Sequence, residues 1–380
     1  MPLVDPRPEY WEEYSNLQRV KHDLIRTYLE GWLPKLGLWA GRVVYFDTHA
    51  GRGRYASGEY GSPLVALDAL LNHSFRSEIL AKSEVVFNFI ERNAENLQRL
   101  KEELAQRGQL PARITCHPVS ADCFALLEDL VQWFKEPAHT LAPAFFFIDP
   151  YGFKVPGRLL RELMSFQRVE LFLNVIWREL DMAIAQPDTM AATLDEVFDG
   201  DRWRSWARTG NFDERAHRTV EGLKELTAAR WATYIRMLGP NNATRYLLVH
   251  LTNHDAGRDL MKDCIWQVCP DGGFHARKSD DPKQEYLIKP EPDLSPLREW
   301  VLARLPRRWK SLEEELRETL WRAPHLNSVV RDMRNAGTID GRGYTGKFLP
   351  SRDPELFRTQ GSSSERRSTR RRRGPSNTGG

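Results

Sequence analysis

VVYFDTHAGRGRY, from Val43 to Tyr55, sets the start of the fold. Its first half is an apolar run that ends in Asp47, and two glycines, Gly51 and Gly53, follow within six residues. A buried strand, an acidic residue and a glycine turn in this order are typical of the start of a doubly wound α/β domain. Because glycine has no Cβ atom, the backbone N–H groups of such a turn can approach a ligand closely.

The residues around this stretch alternate between strand and helix patterns. Apolar runs predict parallel strands covered on both faces, at 43–47, 85–90, 113–119, 144–149 and 169–175. Helical spacing of apolar residues predicts helices at 11–36, 63–72, 94–107, 123–134 and 156–165. This alternation predicts the fold class α/β, with a doubly wound, mostly parallel, Rossmann-like sheet.

The sheet is then interrupted by a helical insertion at about 177–240. Strand patterns return at 244–252 and 264–268, with a helical pattern at 255–263 between them. Residues 270–284 are rich in Gly, Asp and Pro, which indicates a loop. We therefore expect a Rossmann-like domain over 1–290.

The pattern changes after Pro296. Helices are predicted at 308–320 and 325–337, and a ribbon with a glycine turn is predicted at 338–350. Helix, helix and ribbon in this order predict a winged-helix-like domain, which we place at 291–352. Residues 353–380 are expected to be a disordered, arginine-rich tail.

The composition is that of a soluble globular chain. Of its 380 residues, 41% are hydrophobic and 28% are charged. No apolar run reaches the roughly 18 residues of a membrane span, and the N-terminus lacks a signal-peptide pattern, so we expect a cytoplasmic protein without a membrane partner. The four cysteines form no CxxC pair, so neither a metal site nor a disulfide framework is expected.

The net charge of +3 comes from the tail. Residues 361–380 contain six arginines and one glutamate, a charge of +5, and subtracting this from +3 leaves −2 for the rest of the chain. The folded part is therefore close to neutral. The tail is either solvated or holds phosphates without specificity.

Acidic residues lie at four consecutive strand ends. Asp47 ends the first strand, Glu91 ends the second, Asp122 follows the third and Asp149 ends the fourth. Ligands of parallel sheets bind outside these carboxyl ends. We assign the methionine part of S-adenosylmethionine to Asp47 and the glycine turn, its ribose to Glu91 and its adenine to Asp122.

This spacing favours S-adenosylmethionine over a dinucleotide. A dinucleotide fold starts its helix directly after the glycines, whereas eight residues separate Gly53 from Ser62 here. Glu91 also lies 38 residues beyond Gly53, more than the usual interval of about 20. The alternative is that the carboxylates only cap strand ends and that Asp122 is a helix N-cap.

IDPYG, at 148–152, indicates the type of reaction. Asp149, Pro150 and Tyr151 resemble the D-P-P-Y motif of amino-methyltransferases, and more closely the DPFG of tRNA guanine dimethyltransferases. In such motifs the acidic side chain and a backbone carbonyl accept hydrogen bonds from an exocyclic amine, and the aromatic ring stacks on a base. The alternative is a tight turn in which Asp149 is a cap.

Further candidates for substrate or partner contacts are cationic. Lys21 and His22 lie on the first helix, and a pair of this kind is more often a solvated helix face. Arg52 and Arg54 belong to the glycine turn. The remaining candidates, in the helix of the winged-helix-like domain that would enter a nucleic-acid groove, are Arg331 and Arg334.

Four segments together resemble the three-Cys-motif partner proteins (TcmP), a bacterial or mobile-element family. They are KHDLIRTYLEGW, YFDTHAGRGRYASGEYGSPLVAL, FIDPYG and YLLVHLTNHDAGRDLM, spread over 21–266. The resemblance implies a class I methyltransferase-like fold and a separate partner protein with a three-cysteine, radical-SAM-like motif. It places the family's motif positions on Lys21, His22, Asp47, Gly51, Gly53, Gly61, Ser62, Pro63, Asp149, Pro150 and Gly152.

Two functions follow from these patterns. The first is an S-adenosylmethionine-dependent methyltransferase for an exocyclic amine of a nucleic-acid base. The second is a non-catalytic Rossmann-like partner of the three-cysteine protein, with nucleic-acid or protein contacts through the winged helix. The sequence leaves the base, the nucleic acid and the oligomeric state open.

Overall fold

The computed structural model describes residues 8–206, 209–270, 275–281, 291–345 and 347–359. The chain divides into two compact units, Met1–Asp293 and Leu294–Gly380. None of the described helices is long and apolar enough to cross a membrane.

The first unit is built on one sheet, to which eight strands contribute among the described residues. These strands are β1 Arg42–Asp47, β2 Glu84–Ile90, β3 Ile114–Val119, β4 Ala144–Ile148, β5 Val169–Val175, β6 Trp231–Leu238, β7 Thr244–Thr252 and β8 His275–Arg277. Their order is β3-β2-β1-β4-β5-β7-β6-β8, and β1 to β5 are parallel. The antiparallel β7 separates β5 from β6. This topology confirms the predicted fold class.

Helices cover both faces of the sheet. They are α1 Asn16–Gly37, α2 Ser62–Leu71, α3 Arg76–Lys82, α4 Ala94–Ala105, α5 Cys123–Lys135, α6 Gly157–Met164, α7 Trp177–Ile184, α8 Pro187–Val197, α9 Trp203–Trp206, α10 Phe212–Thr227 and α11 Asp255–Val268, with a 3-10 helix at Pro8–Trp11. On one face Phe46 stacks on Phe146 at 4.4 Å, in a core shared with α5, α6 and α10. On the other face Tyr28 of α1 stacks on Phe145.

Three predicted segments of the first unit have wrong bounds. The helical insertion was placed at about 177–240, but residues 231–238 form β6, whose alternating burial matches a strand between two neighbours. Residues 264–268 belong to α11, because their apolar side chains continue its buried face. Residues 275–277 of the predicted loop form the edge strand β8 beside β6.

The second unit has its own core. Its elements are α12 Ser295–Arg304, β9 Arg307–Arg308, α13 Trp309–Leu316, α14 Ala323–Asn335, β10 Ile339–Arg342, a 3-10 helix at Pro350–Arg352 and β11 Glu355–Arg358. The strands form a small antiparallel sheet in the order β10-β11-β9. Its core includes Val301, Trp309, Leu326 and Leu356.

The tail begins later than predicted, because β11 lies within the first residues that were assigned to it. The second ribbon strand was predicted at 345–350 and disorder from 353, but β11 at Glu355–Arg358 pairs with both β10 and β9. Leu356 is fully buried in the core, which explains why the chain is ordered there. The arginine run at 366–373 lies outside the described residues.

Candidate functional site

A cavity of about 470 Å³ opens at the carboxyl ends of β1, β4 and β5. This is the point where the strand order reverses between β1 and β4, which is where parallel sheets bind their ligands. The residues that line it include Lys21, Ala50, Ser62, Asp149, Tyr151 and Asn174.

Helix α1 brings two of the cationic candidates to this cavity. Lys21 and His22 are each only 4% exposed and line the cavity, so neither belongs to a solvated helix face, which was the alternative to a role as a candidate. The helix is held by neighbours such as Val20 and Leu24, which are buried in the core. His22 lies 3.2 Å from the Tyr14 hydroxyl through Nδ1. Burial, helped by the Lys21 charge, lowers the pKa of His22 to about 3, so its ring is neutral.

Lys21 and Asp149 form a buried ion pair. The Lys21 ammonium donates to Asp149 Oδ2, and the two side chains are 5% and 15% exposed. Burial alone would raise the pKa of Asp149, but the Lys21 charge and hydrogen bonds from Lys21 and Asn174 hold it below its ordinary value. Burial by itself would lower the pKa of Lys21, but the Asp149 carboxylate raises the pKa of Lys21 well above its ordinary value. The pair is therefore charged at neutral pH.

Asn174 is a site residue that sequence reasoning missed. It lies near the end of β5 and is 6% exposed, and its Nδ2 donates to Asp149 Oδ1 at 2.6 Å. Both carboxylate oxygens of Asp149 thus accept a hydrogen bond. Asn174 Oδ1 is buried and accepts no hydrogen bond from the described residues. The available signal was a polar side chain at the carboxyl end of an apolar strand.

Asp47 lies at the end of β1 and is fully buried. Its Oδ1 accepts the backbone N–H of His49 at 3.3 Å, and its Oδ2 has no hydrogen-bond partner among the described residues. Burial raises the pKa of Asp47 to about 7, against a lowering by the Ser62 hydroxyl. A buried carboxylate oxygen without a donor is uncommon in proteins and marks a place for a ligand donor.

Glu91 anchors the glycine turn. Its carboxylate accepts the backbone N–H of Gly51 at 2.8 Å and that of Asn93 at 2.6 Å, and the side chain is buried. The end of β2 is therefore joined to the loop after β1. Glu91 stands where the sequence placed a ribose-binding residue, and the structure also gives it the capping role that was the alternative.

The N-terminal 3-10 helix covers this turn. Gly51 has φ +64°, and a Cβ atom there would lie 2.3 Å from the Trp11 ring. Trp11 is held by its carbonyl, which accepts from Ala56 N at 2.8 Å, and by the Arg52 guanidinium over its ring at 5.2 Å. Only glycine allows the indole to approach the turn this closely.

Aromatic rings form one wall of the cavity. Tyr10 lies between Tyr55 and Tyr151, with ring centroids 5.9 and 6.5 Å away, and Tyr14 contacts Tyr55 edge-on at 5.0 Å. Tyr151 is 42% exposed, the most accessible of these rings. At this exposure a planar ligand can approach the ring from the cavity.

Asp122, Arg54 and Gly53, like Asp47, Gly51 and Glu91, are not among the residues that line the cavity. Asp122 caps α5 by accepting from Phe124 N and Ala125 N, at 3.1 and 3.3 Å, as its alternative proposed. Arg54 binds both carboxylate oxygens of Glu103, at 3.0 and 2.9 Å. Gly53, with φ +85°, turns the chain towards this loop.

Arg331 and Arg334 belong to the second unit. Arg331 is exposed and donates to Ser328 Oγ at 3.2 Å. Arg334 is held over the Phe348 ring at 3.9 Å and reaches Asp340 at 3.4 Å. Of the two, only Arg331 presents its side chain mainly to solvent.

Comparison with family models and with curated proteins found no match. Among solved structures, the chain is similar to Trm1 from Pyrococcus horikoshii, described in complex with S-adenosyl-L-methionine, at 12% identity and a TM-score of 0.39. The match covers 67% of this chain and 60% of Trm1, so the chain spans less than two thirds of that protein.

Two further solved structures are similar to this chain. The methyltransferase domain of bacterial CtHen1 shares 13% identity at a TM-score of 0.32, over 61% of this chain and 99% of that one. A SAM-dependent methyltransferase from Agrobacterium tumefaciens shares 11% at 0.33, over 60% and 61%. Overlaps at this level do not identify an activity, because one fold carries many functions.

Proposed function

We propose that the chain is an S-adenosylmethionine-dependent methyltransferase for an exocyclic amine of a nucleic-acid base. The observation that supports this most directly is that one cavity reaches from Ala50 and Ser62, beside the glycine turn, to Asp149 and Tyr151. A methyl donor and its acceptor must share one space, since the reacting atoms have to come within about 3–3.5 Å.

The residues around the turn suit this cofactor. Asp47 Oδ2 is a buried acceptor without a donor, as the ammonium of the methionine moiety requires. Glu91 ends β2, where a carboxylate accepts both hydroxyls of a ribose. Asp122, half exposed at the start of α5, is assigned to the adenine. Gly51 leaves the backbone of the turn accessible.

The chain's own residues would prepare the amine. When bound, S-adenosylmethionine would supply a methyl group from its positively charged sulfur, which would keep the electron pair of the broken sulfur–carbon bond. An exocyclic amine is a weak nucleophile because its lone pair is delocalised into the base. Asp149, held ionised by Lys21, accepts a hydrogen bond from the amine and then the proton that the methylated nitrogen loses. Tyr151 stacks on the base.

Calorimetric titration with S-adenosylmethionine tests the cofactor. We expect binding to the wild type and at least tenfold weaker binding to Glu91→Gln, since the amide can replace only one of two acceptor oxygens. Glu84→Gln is the matched control, because Glu84 lies at the opposite, amino end of the same strand. Absence of binding to all three proteins would remove the cofactor proposal.

Methyl transfer is tested with tritiated S-adenosylmethionine and pools of tRNA, rRNA and genomic DNA. Asp149→Asn should lower transfer by about 10²-fold or more, the usual contribution of a positioned acid–base group, without changing cofactor affinity. Transfer that is unaffected in this variant would show that Asp149 does not act on the amine.

A non-catalytic partner function is the second candidate, and one observation favours it. Both oxygens of Asp149 are already bonded inside the protein, by Lys21 and Asn174, as expected for a structural carboxylate. In this case the second unit, with three helices and a small antiparallel sheet like a winged helix, would provide nucleic-acid or protein contacts. Cofactor binding without methyl transfer to any pool would favour it.

The partner that we propose in both cases is the three-cysteine, radical-SAM-like protein implied by the resemblance of residues 21–266. Co-purification of the two proteins from cells that express both is the test. Two variants locate the surface that the association needs. Arg331→Glu tests the exposed face of α14, and Arg358→Glu tests β11, where Arg358 donates to the Leu302 carbonyl.

A further inference from the structure

We propose that Asn174 is a second acceptor for the target amine, so that its side-chain oxygen and Asp149 each hold one N–H of the base. The inference rests on the proposed methyltransferase function and assigns the role that sequence analysis gave to a backbone carbonyl.

The orientation of the Asn174 amide follows from its neighbour. Asp149 is paired with the buried Lys21 ammonium, so it is ionised and can only accept hydrogen bonds. The atom of Asn174 that lies 2.6 Å from Asp149 Oδ1 must therefore be the donor, Nδ2. Lys21 thereby fixes the amide through Asp149, and the carbonyl oxygen is the atom left over.

That oxygen lacks a donor in the protein. Asn174 Oδ1 is buried and receives no hydrogen bond from the described part of the chain, although the side chain lines the cavity. Most buried polar atoms have a partner, and an exception needs an explanation. A ligand N–H supplies one.

The two acceptors suit an amine and reject a carbonyl. They lie side by side at the ends of neighbouring strands β4 and β5, joined by the Asn174–Asp149 hydrogen bond. If both N–H groups point to this side, the nitrogen becomes pyramidal and its lone pair faces away from the two acceptors. A base with a carbonyl at the same position would place a third acceptor there, which a site of buried acceptors rejects strongly.

Binding to paired oligonucleotides tests the proposal. Labelled single strands of deoxycytidine and deoxyuridine form one pair, those of deoxyadenosine and deoxyinosine form a second, and those of deoxyguanosine and deoxyxanthosine form a third, because each pair exchanges an amine for a carbonyl. Fluorescence anisotropy in the presence of S-adenosylhomocysteine gives the affinities. We expect the wild type to prefer the amine in at least one pair by tenfold or more.

Asn174→Leu should reduce this preference to less than threefold, with unchanged affinity for S-adenosylmethionine. Asn88→Leu, the same change on strand β2 of the same sheet and outside the cavity, should keep it. If thermal unfolding shows that the leucine variant does not fold, the smaller Asn174→Ala takes its place.

The outcomes separate the two proposals. No preference in the wild type for any of the three pairs, or a preference that survives in the folded Asn174 variant, overturns the role of Asn174. A preference that depends on Asn174 but comes without transfer of tritiated methyl to any strand supports the acceptor and counts against the methyltransferase.

Discussion

At the scale of single residues, Lys21 and Asp149 determine the charge of the site. Removing one partner of a buried ion pair leaves the other charge without compensation, which costs about 3–5 kcal/mol. We expect Lys21→Met to lower the free energy of unfolding by about this amount, measured by guanidinium denaturation followed by tryptophan fluorescence. Arg26→Met is the control, because Arg26 and Asp23 form a partly exposed pair on the same helix worth less than about 1 kcal/mol.

The pH dependence of this difference has a defined window. The pKa of Asp149 is lowered, so its contribution is present above the unfolded value of about 4 and is lost as the pH falls through the folded pKa. The pKa of Lys21 is raised, so its contribution is present below about 10.5 and is lost as the pH rises through the folded pKa. In Lys21→Met, burial raises the pKa of Asp149 without the opposing Lys21 charge, so the stability gap between wild type and variant should be largest at about pH 9 and should narrow as the pH falls towards about 4. A gap that stays constant over this range would contradict a buried carboxylate that depends on Lys21.

Asp47 predicts a different pH profile. Burial raises its pKa to about 7, so the folded state favours the protonated form. Protonated Asp47 therefore stabilises the folded protein fully below its pKa in the unfolded chain, about 4, and this stabilisation is lost as the pH rises to about 7. We expect wild-type stability, relative to Asp47→Asn, to decline over this interval in thermal unfolding experiments. A flat difference would mean that Asp47 is ionised in the folded protein.

Sequence reasoning found the carboxylates of the site but not the side-chain contacts that they make. Asp47, Glu91 and Asp149 were identified because each ends an apolar strand, and that position alone brings them to one edge of the sheet. Asn174 was missed because its importance depends on a contact with Asp149, 25 residues away, that no local pattern shows. Lys21 was named as a candidate for substrate contacts, but its ion pair with the distant strand end at Asp149 could not be predicted from a local pattern.

At the scale of elements, the N-terminal 3-10 helix and the glycine turn form one unit. Gly51→Ala would place a Cβ atom 2.3 Å from the Trp11 ring, at a φ that costs a side chain about 1–2 kcal/mol. We expect Trp11 to leave the turn, with faster amide exchange over residues 8–15 and loss of cofactor binding. Gly58→Ala is the control, since φ is also positive there but nothing lies within 4 Å. Equal exchange in both variants would show that Trp11 does not depend on Gly51.

The elements themselves were predictable wherever one period dominates. β1 to β5 were found to within a few residues, because buried parallel strands are continuous apolar runs. The helices between them were found as well, except α3, Arg76–Lys82. WATYIRML was assigned to a helical insertion because its alternating burial becomes visible only beside β7 and β8. α1 begins at Asn16 rather than at 11, since Tyr10 and Trp11 leave the helix to pack on the glycine turn.

At the scale of the whole molecule, each of the two units has a hydrophobic core of its own among the described residues. One is centred on the strands of the large sheet, with Phe46 and Phe146, and the other contains Trp309 and Leu356. The residues assigned to the cofactor and the amine all belong to the first unit, whereas Arg331 belongs to the second. Units with their own cores are expected to fold independently.

Separate cores predict that chemistry and affinity for nucleic acid can be uncoupled. We expect residues 1–293 to bind S-adenosylmethionine with the affinity of the whole chain, because every residue assigned to the cofactor is retained. Affinity for RNA and DNA should fall, because residues 294–380 contain an excess of arginine, including the run at 366–373. A chain that ends at 359 separates the two sources, since it lacks only the tail. If residues 1–293 fold but do not bind S-adenosylmethionine, the prediction that the first unit alone binds the cofactor is wrong.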